Sequence, residues 1–230
     1  MYNDSVVTTT YGPVRGWIRD GIHTFKGIRY GRDTARTRFL PPVEPEPWTE
    51  VQNAFEFGPT APQDHPVTGT DRGTNPFLVK IGLSDNYPES EDMLFMNVWT
   101  PGIDDAKRPV MVWVHSGGYS VNSASSPSID GASLARNGDV VTVSFNHRLN
   151  VLGYAHLTDD PSSPFAGSGN AGMLDIVAAL TWVQNNIATF GGDPGNVTIF
   201  GQSGGAMKVS TLLGMPGARG LFHKAIMQSG

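Results

Sequence analysis

Two short apolar runs constrain the fold of this chain more than any other feature of its sequence. Residues 110–114 and 140–145 are apolar or β-branched nearly throughout, which is typical of strands buried on both faces of a parallel sheet. Residues 94–99 and 197–200 form two further β-branched or aromatic runs. The sequence therefore predicts several short strands of one central sheet.

The segments between these runs predict helices and loops. Apolar residues spaced by three or four predict a helix over residues 171–190; they are Ile176, Leu180, Val183, Ile187 and Phe190. Gly191 and the residues after it end that helix. Strand, helix and strand in succession indicate an α/β fold.

The N-terminal part of the chain has a different texture. Two β-branched runs at residues 6–10 and 14–18 flank Gly12 and Pro13, which predicts an opening β-hairpin. Residues 32–90 are rich in Pro and Gly, so we expect surface loops with short helical turns there.

Composition excludes several classes of function. The chain has 230 residues, a formal net charge of −5 and no Cys, which fits one domain and argues against nucleic acid as a partner. Without Cys there are no disulfides, thiolate metal sites or Cys nucleophiles, and the six His have no ligand spacing. We expect no metal, no cofactor and no membrane span. The first residues carry no signal-peptide pattern, and we expect a cytoplasmic protein.

The strongest chemical motif is the segment Gly201-Gln202-Ser203-Gly204-Gly205. It follows an apolar strand and precedes a segment compatible with a helix, which is the context that a Gly-x-Ser-x-Gly nucleophile turn requires. Such a turn raises the middle hydroxyl above the sheet and aims the next amide at a developing oxyanion. The alternative is an ordinary glycine-rich turn with a helix-capping Ser.

A second segment follows the strand predicted at residues 110–114. There His115 and Ser116 precede Gly117 and Gly118, and two consecutive Gly allow amides to point together into a cavity, as an oxyanion hole needs. The alternative is a turn that merely ends the strand. By contrast, residues 167–172 match Gly-x-Gly-x-x-Gly but follow a loop rather than a strand, so we reject a dinucleotide site there.

Taken in order, these segments resemble the type-B carboxylesterase and cholinesterase-like family of α/β-hydrolases, and most closely its bacterial para-nitrobenzyl-esterase-like members. The resemblance extends over the whole chain. The matching blocks are Gly12 to Gly16, Phe25 to Ile28, Arg38 and Phe39 with Pro41, Pro42 and Trp48, Ser90 to Val98, Gly169 to Asp175, Phe190 to Pro194 and Leu221 to Gly230.

The resemblance implies a fold and a reaction. The implied fold is an incomplete α/β-hydrolase, in which residues 1–230 form the N-terminal part of a single domain, with the N-terminal hairpin and the first strands and helices of a mostly parallel sheet. Ser203 is the implied nucleophile, and the amides of Gly117, Gly118 and Gly204 are the implied oxyanion hole. The reaction is hydrolysis of a small-molecule carboxylic ester through an acyl-enzyme.

Departures from the family pattern also carry information. Ala61 and Met93 stand where the family has its first disulfide, and Gln202 replaces a Glu before the nucleophile. Ser116 replaces the first Gly of the family's triplet, which would strain the loop if that position needs a positive φ. Residues 64–90 contain no Trp, so we expect no aromatic platform for choline.

The chain lacks two members of the implied triad. Residues 204–230 contain no Asp or Glu, and their single His, His223, is interpreted as a residue on the surface of a strand at 221–227. We therefore expect an inactive fragment whose acid and His lie beyond Gly230. The expected partner of this chain is a missing C-terminal half, or a second copy of the chain joined through the open sheet edge at 221–227. The alternative is a non-catalytic cholinesterase-like binding protein or a degenerate truncated product.

Overall fold

The computed structural model describes residues 3–63, 88–125 and 129–230. These residues contain the strands β1 (Asn3–Thr8), β2 (Pro13–Arg19), β3 (Ile22–Arg29), β4 (Gln52–Asn53), β5 (Phe95–Thr100), β6 (Arg108–Val114), β7 (Val141–Phe145), β8 (Gly192–Gln202) and β9 (Lys224–Gln228). The α-helices are α1 (Ala132–Gly138), α2 (Asn150–Tyr154), α3 (Ala171–Asn186) and α4 (Gly204–Gly214). Short 3₁₀ turns cover Thr34–Arg36, Ser168–Asn170, Ile187–Phe190 and Pro216–Ala218.

The described strands form one mixed sheet in the order β1-β2-β3-β5-β7-β6-β8-β9, with β4 beside β2. Pairing is antiparallel from β1 to β7 and parallel from β7 through β6 and β8 to β9. Val112 of β6 lies between Val143 of β7 and Ile199 of β8, and all three are fully buried. The parallel half therefore brings the carboxyl ends of β6, β7 and β8 to one edge.

The two apolar runs differ in how completely they are buried. Every residue of β7 is buried, as predicted. In β6 only alternate residues are buried, so the prediction that both faces of residues 110–114 are covered is wrong for this strand. Met111 and Trp113 retain partial exposure, because the described residues cover their face only in part; the Trp113 ring packs beside Phe200 on the neighbouring strand.

Helix α3 follows the predicted periodicity closely. Its apolar stripe is buried at every predicted position from Ile176 to Phe190. The helix is α-helical to Asn186 and tightens into a 3₁₀ turn over the last four residues. Gly191 then adopts a φ of 79°, which confirms it as the left-handed residue that ends the segment.

The N-terminal hairpin is confirmed, and the strand that follows it was not predicted. β1 and β2 pair antiparallel as expected, and β3 then pairs with β2 through Asp20 and Gly21. These two residues have φ values of 51° and 76°, the left-handed pair of a tight hairpin turn. An Asp-Gly pair between two alternating runs was the signal for β3.

The long segment from 32 to 90 is only partly described. Its described residues contain the 3₁₀ turn Thr34–Arg36 and the two-residue strand β4, which agrees with loops and short turns. Residues 64–87 lie outside the described residues, and with them most of the region where we expected no aromatic platform.

Strand β9 lies at one end of the described sheet and pairs only with β8 there. It begins at Lys224, three residues later than predicted. Ile226 is 44% exposed and Met227 is 51% exposed. Within the described residues the open apolar edge is therefore confirmed.

Candidate active site

Ser203 occupies the sharp bend between β8 and α4. Its φ of 53° and ψ of −121° are unusual for a residue with a side chain. A Cβ at Gly201 would lie 2.6 Å from the carbonyl carbon of Gly205, and one at Gly205 would lie 2.2 Å from the carbonyl oxygen of Val114. The two flanking glycines are therefore required by the close approach of strand and helix at this bend.

The Ser203 hydroxyl does not cap the helix. Its side chain accepts no capping hydrogen bond from α4, so the alternative of a helix-capping Ser is wrong. The backbone amide of Ser203 donates to the carbonyl of Gln228 at 2.8 Å, which ties the bend to the end of β9. The residue is partly exposed, so its hydroxyl can reach a small molecule.

The loop after β6 holds two consecutive glycines in left-handed conformations. Gly117 has a φ of 93° and Gly118 a φ of 62°, and a Cβ at Gly117 would lie 2.2 Å from the Val121 carbonyl oxygen. The Gly117 carbonyl accepts from the amides of Ser120 and Val121 at 3.2 and 3.1 Å. Within the described residues no hydrogen bond engages the amides of Gly117 and Gly118, which leaves both available to a ligand.

Gly204 connects this loop to the bend at Ser203. A Cβ placed on Gly204 would lie 2.3 Å from the Gly118 nitrogen and 2.4 Å from its Cα. The first residue of α4 therefore packs directly against Gly118, and as the first helical residue it has an amide without an intrahelical partner. The fold brings the four predicted residues, Ser203, Gly204, Gly117 and Gly118, into one neighbourhood.

Ser116 does not strain the loop. It is not among the residues with a positive φ, so this position accepts a side chain without the expected penalty. Its hydroxyl accepts a hydrogen bond from Asn122 Nδ2 at 3.0 Å. A serine here is compatible with the same glycine geometry at the next two positions.

Three buried titratable residues near the loop were not predicted. They are Lys208 of α4, His115 at the end of β6 and His147 after β7, all at most 1% exposed. The two imidazoles stack with their centroids 4.5 Å apart. Burial and the charge of Lys208 lower the pKa of His115 to about 3, and burial, with His115 and Lys208 nearby, lowers the pKa of His147 well below its usual value.

A signal for Lys208 was present in the sequence. It lies four residues after Gly204 and four before Leu212, so a helix places it on the same face as those two residues. That face is buried. A Lys in such a stripe is unusual, since burying an ammonium group is unfavourable.

A buried ion pair supports the loop that follows β7. Arg148 donates to the Asp175 carboxylate through Nη2 at 2.6 Å and through Nε at 2.8 Å. The Arg148 amide also donates to Asp175 at 3.0 Å. Asp175 stood inside one of the family blocks, but its partner was not predicted.

Ser203 does not line either of two cavities formed by the described residues. A cavity of about 740 Å³ includes Tyr119, Leu152 and Tyr154 in its lining, so Tyr119 borders an open space immediately after the glycine loop. A cavity of about 850 Å³ is lined by residues of β2, β3 and the following loops, including Arg29 and Trp48, and is remote from the bend.

His223 is a surface residue, as interpreted. It immediately precedes β9, its amide donates to the Val197 carbonyl at 2.8 Å, and its Nδ1 accepts from the Val197 amide at 3.2 Å. Both contacts are structural. No Asp or Glu follows Ser203 in the sequence.

The described ranges contain neither a metal-binding cluster nor a membrane-spanning helix. No three or more His, Asp or Glu side chains there are grouped so that they could hold a metal ion. No helix there is both long and apolar enough to cross a bilayer.

Comparison with known proteins decides the family. The model of the carboxylesterase family matches residues 3–230. The chain belongs to the carboxylesterase family. It is 42% identical over 226 residues to para-nitrobenzyl esterase of Bacillus subtilis (strain 168), and 39% identical over 232 residues to phenmedipham hydrolase of Pseudarthrobacter oxydans.

Solved carboxylesterases show the same architecture. A carboxylesterase of Geobacillus stearothermophilus superposes with a TM-score of 0.86 at 44% identity, covering 98% of this chain and 43% of that one. An esterase from Clostridium hathewayi gives a TM-score of 0.86 at 44% identity. The matches to the Bacillus subtilis and Pseudarthrobacter oxydans relatives span 98% and 100% of this chain but only 43% of the length of each relative. This carboxylesterase-family chain thus contains part of an α/β-hydrolase fold.

Proposed function

We propose that this chain is the nucleophile-bearing part of a carboxylic ester hydrolase. The observation that carries the proposal is Ser203, held at a φ of 53° with no capping hydrogen bond. It lies beside a Gly204 whose added Cβ would reach the Gly118 nitrogen at 2.3 Å. This arrangement is what attack on a carbonyl and stabilisation of an oxyanion require.

The proposed reaction has two balanced steps. Ser203 Oγ loses its proton to a base and forms a bond to the ester carbonyl carbon, and the alcohol leaves with a proton as the acyl-enzyme forms. Water then attacks the acyl-enzyme, releases the acid and returns the proton to Ser203. The amides of Gly117, Gly118 and Gly204 would bind the carbonyl oxygen while it carries negative charge.

We infer that residues 1–230 form the N-terminal part of one domain and that the chain alone does not turn over esters. Support comes from residues 204–230, which offer no acid and only the surface His223. Without a base the Ser203 hydroxyl keeps its ordinary alcohol reactivity. The acid and His are expected in the part of the family's length that this chain does not span.

The proposed partner is a C-terminal part that covers the open sheet edge. Ile226 and Met227 of β9 are 44% and 51% exposed, and Ser203 is tied to the end of the same strand. An unpaired apolar strand is a template for another chain. In the absence of a cover, we expect self-association through β9.

The chain offers indirect support for a cytoplasmic location. Ala61 and Met93 are buried within the main hydrophobic cluster, so packing replaces the family disulfide at both of its ends. A protein with no Cys does not depend on an oxidising compartment. The proposed substrate is a small carboxylic ester, and the name of the Bacillus subtilis relative points to a para-nitrobenzyl ester as one probe.

The decisive experiment measures para-nitrophenol release from para-nitrophenyl acetate. We expect the 230-residue chain and its Ser203→Ala variant to be equally inactive. A chain extended in frame to include an acid and a His should hydrolyse the ester and lose at least about 10³-fold on Ser203→Ala. Turnover by the short chain that Ser203→Ala abolishes would disprove the inactive-fragment proposal.

The alternative is a non-catalytic binding protein or a degenerate truncated product, favoured by the missing acid and base and by Gln202 before the nucleophile. Reading the coding sequence beyond codon 230 separates the two. An in-frame acid and His in family context support the esterase, whereas a stop codon supports the alternative.

A further inference from the structure

Lys208 is a buried cation that the proposed ester hydrolysis does not use. It lies in the second turn of α4, with none of its surface exposed, on the helix that begins directly after Ser203. Among the described residues no carboxylate forms an ion pair with it, unlike Arg148, which has Asp175. An ammonium group in such a place is unfavourable unless its protons are satisfied.

The partners of Lys208 are the two ends of the glycine loop. Its Nζ donates to the carbonyl oxygen of Gly118 at 2.5 Å and to that of His115 at 3.3 Å. These carbonyls flank the segment that carries the amides of Gly117 and Gly118. One side chain therefore fixes both ends of the proposed oxyanion loop.

The carbonyls of His115, Ser116, Gly117 and Gly118 all contact groups other than the amides in question, and that of Ser116 lies 2.9 Å from His115 Nδ1. Lys208 takes those of His115 and Gly118, and the amides of Ser120 and Val121 take that of Gly117. The Gly117 and Gly118 amides are left without a hydrogen bond in the described part of the chain. In a trans peptide the carbonyl and the amide point in opposite directions, so the held carbonyls of Ser116 and Gly117 direct the amides of Gly117 and Gly118 the other way. Lys208 fixes the peptides on either side of these two.

An independent observation places the loop against the helix that carries Lys208. An added Cβ on Gly204 would lie 2.3 Å from the Gly118 nitrogen and 2.5 Å from its carbonyl oxygen. The loop therefore packs against the first residue of α4 so closely that only glycine fits. Lys208 reaches the same Gly118 from one turn further along that helix.

The groups facing Lys208 leave it as the titratable residue of this region near neutral pH. They are Tyr119, whose ring centroid lies 5.3 Å from Nζ, and the stacked His115 and His147. Burial lowers the pKa of Lys208 to about 7, whereas the pKa of each imidazole is lowered well below that range. Both the ammonium and the amine can still donate to two carbonyls.

We propose that Lys208 is a positioning residue for the oxyanion hole: it holds the carbonyls of His115 and Gly118 so that the amides of Gly117 and Gly118 stay aligned beside Ser203. The inference rests on the proposed ester hydrolysis and adds a determinant to it. Because the oxyanion exists only after attack, a loosened hole weakens binding of the transition state and leaves substrate binding nearly unchanged.

The first test compares Lys208→Met with Lys107→Met in the ester-hydrolysing protein. Lys107 is exposed and directly precedes β6, at the end of that strand opposite the glycine loop, so it controls for the loss of one charge. We expect Lys208→Met to lower kcat by about 10-fold or more while KM changes less than about twofold. Equal kcat values for the two variants would overturn the proposal, as would a loss confined to KM.

The second test does not depend on activity. The amide resonances of Gly117 and Gly118 are followed by ¹⁵N NMR from pH 6 to pH 9 in the wild-type protein and in Lys208→Met. We expect a shift with a midpoint at about 7 in the wild type and none in the variant. Gly117 and Gly118 resonances that are identical in the wild type and in Lys208→Met at every pH would refute the contact. Should Lys208→Met fail to fold, Lys208→Gln takes its place in the same comparison.

The two tests separate failure of the proposed function from failure of the inference. A wild-type protein that shows the amide titration but hydrolyses no ester supports the lysine contact and contradicts the hydrolase. A protein that hydrolyses esters through Ser203 but shows neither the kcat loss nor the titration supports the hydrolase and refutes the role of Lys208.

Discussion

Arg148 and Lys208 are both buried cations at the carboxyl edge of the parallel strands, and the chain satisfies them in opposite ways. Arg148 has a bidentate carboxylate partner in Asp175 and also donates to the carbonyls of Leu40 and Ala171. Lys208 has two carbonyls and no carboxylate among the described residues. Arg148 is therefore a fixed charge of the scaffold, whereas Lys208, whose pKa is lowered to about 7, can lose its proton near neutral pH.

The largest expected effect comes from breaking the pair at Arg148. Asp175→Asn removes the compensating charge and leaves a guanidinium group buried, so we expect the free energy of unfolding to fall by about 3–5 kcal/mol. Urea unfolding followed by far-UV circular dichroism measures this loss. The Glu46→Gln variant is the control. Glu46 also forms an ion pair, with Arg32 at 2.7 Å, but the Glu46 side chain is 73% exposed.

We expect Glu46→Gln to change stability little, since exposed ion pairs contribute about 0–1 kcal/mol. A loss for Asp175→Asn no larger than that for Glu46→Gln would break the comparison. It would mean that Arg148 finds sufficient partners in its two carbonyls, as Lys208 does.

What the sequence could predict around these cations was local. The stripe from Ile176 to Phe190 predicted α3 because a helix repeats its contacts every three or four residues. The bend at Ser203 could be predicted because strand, glycines and helix are adjacent in the chain. The third strand was missed, although Asp20 and Gly21 carried a hairpin signal of the same local kind.

The contacts that build the site connect residues far apart in the sequence. The approach of Gly204 to Gly118 and the bonds from Lys208 to the same loop depend on β6 and β8 being neighbours in the sheet. The apolar patterns predict these strands but not their order. The partial exposure of Met111 and Trp113 depends in the same way on what packs against that face of the sheet, which strand composition does not specify.

A second prediction concerns pH and is smaller. The pKa of Lys208 is lowered to about 7 in the folded protein, against an ordinary value of about 10.4 in the unfolded chain. Between these values the unfolded state binds a proton that the folded state does not, so stability rises with pH. The unfavourable burial of the charge is fully present below pH 7 and is relieved towards pH 10. We expect a gain of about 2 kcal/mol from pH 7 to pH 9.

Urea unfolding at the two pH values measures this gain, and Lys208→Met should abolish it. Asp175→Asn should keep the gain while lowering stability at both pH values, because it leaves Lys208 untouched. A wild-type stability that is flat between pH 7 and pH 9 would show that the carbonyls keep Lys208 charged. The two cations would then behave alike.

The smallest expected effect concerns backbone strain, which we expect at Ser203 near Lys208 but not at Asn150 near Arg148. Ser203, five residues before Lys208, has a φ of 53° and a ψ of −121°, a region where residues other than Gly lose roughly 1–3 kcal/mol. Asn150, two residues after Arg148, also has a positive φ, of 54°, but Asn tolerates that region. Its amide side chain also donates to the Pro62 carbonyl at 3.2 Å.

We therefore expect Ser203→Gly to raise the free energy of unfolding by about 1 kcal/mol, since the relief of strain exceeds the entropy that Gly adds to the unfolded chain. Asn150→Gly should leave stability unchanged or lower it, because it removes a hydrogen bond and relieves little strain. Ser203→Ala keeps the strain and loses only the hydroxyl, so it should match the wild type in urea unfolding. If Ser203→Ala is as stabilising as Ser203→Gly, the gain in stability comes from removing the hydroxyl, and the bend at Ser203 stores no strain.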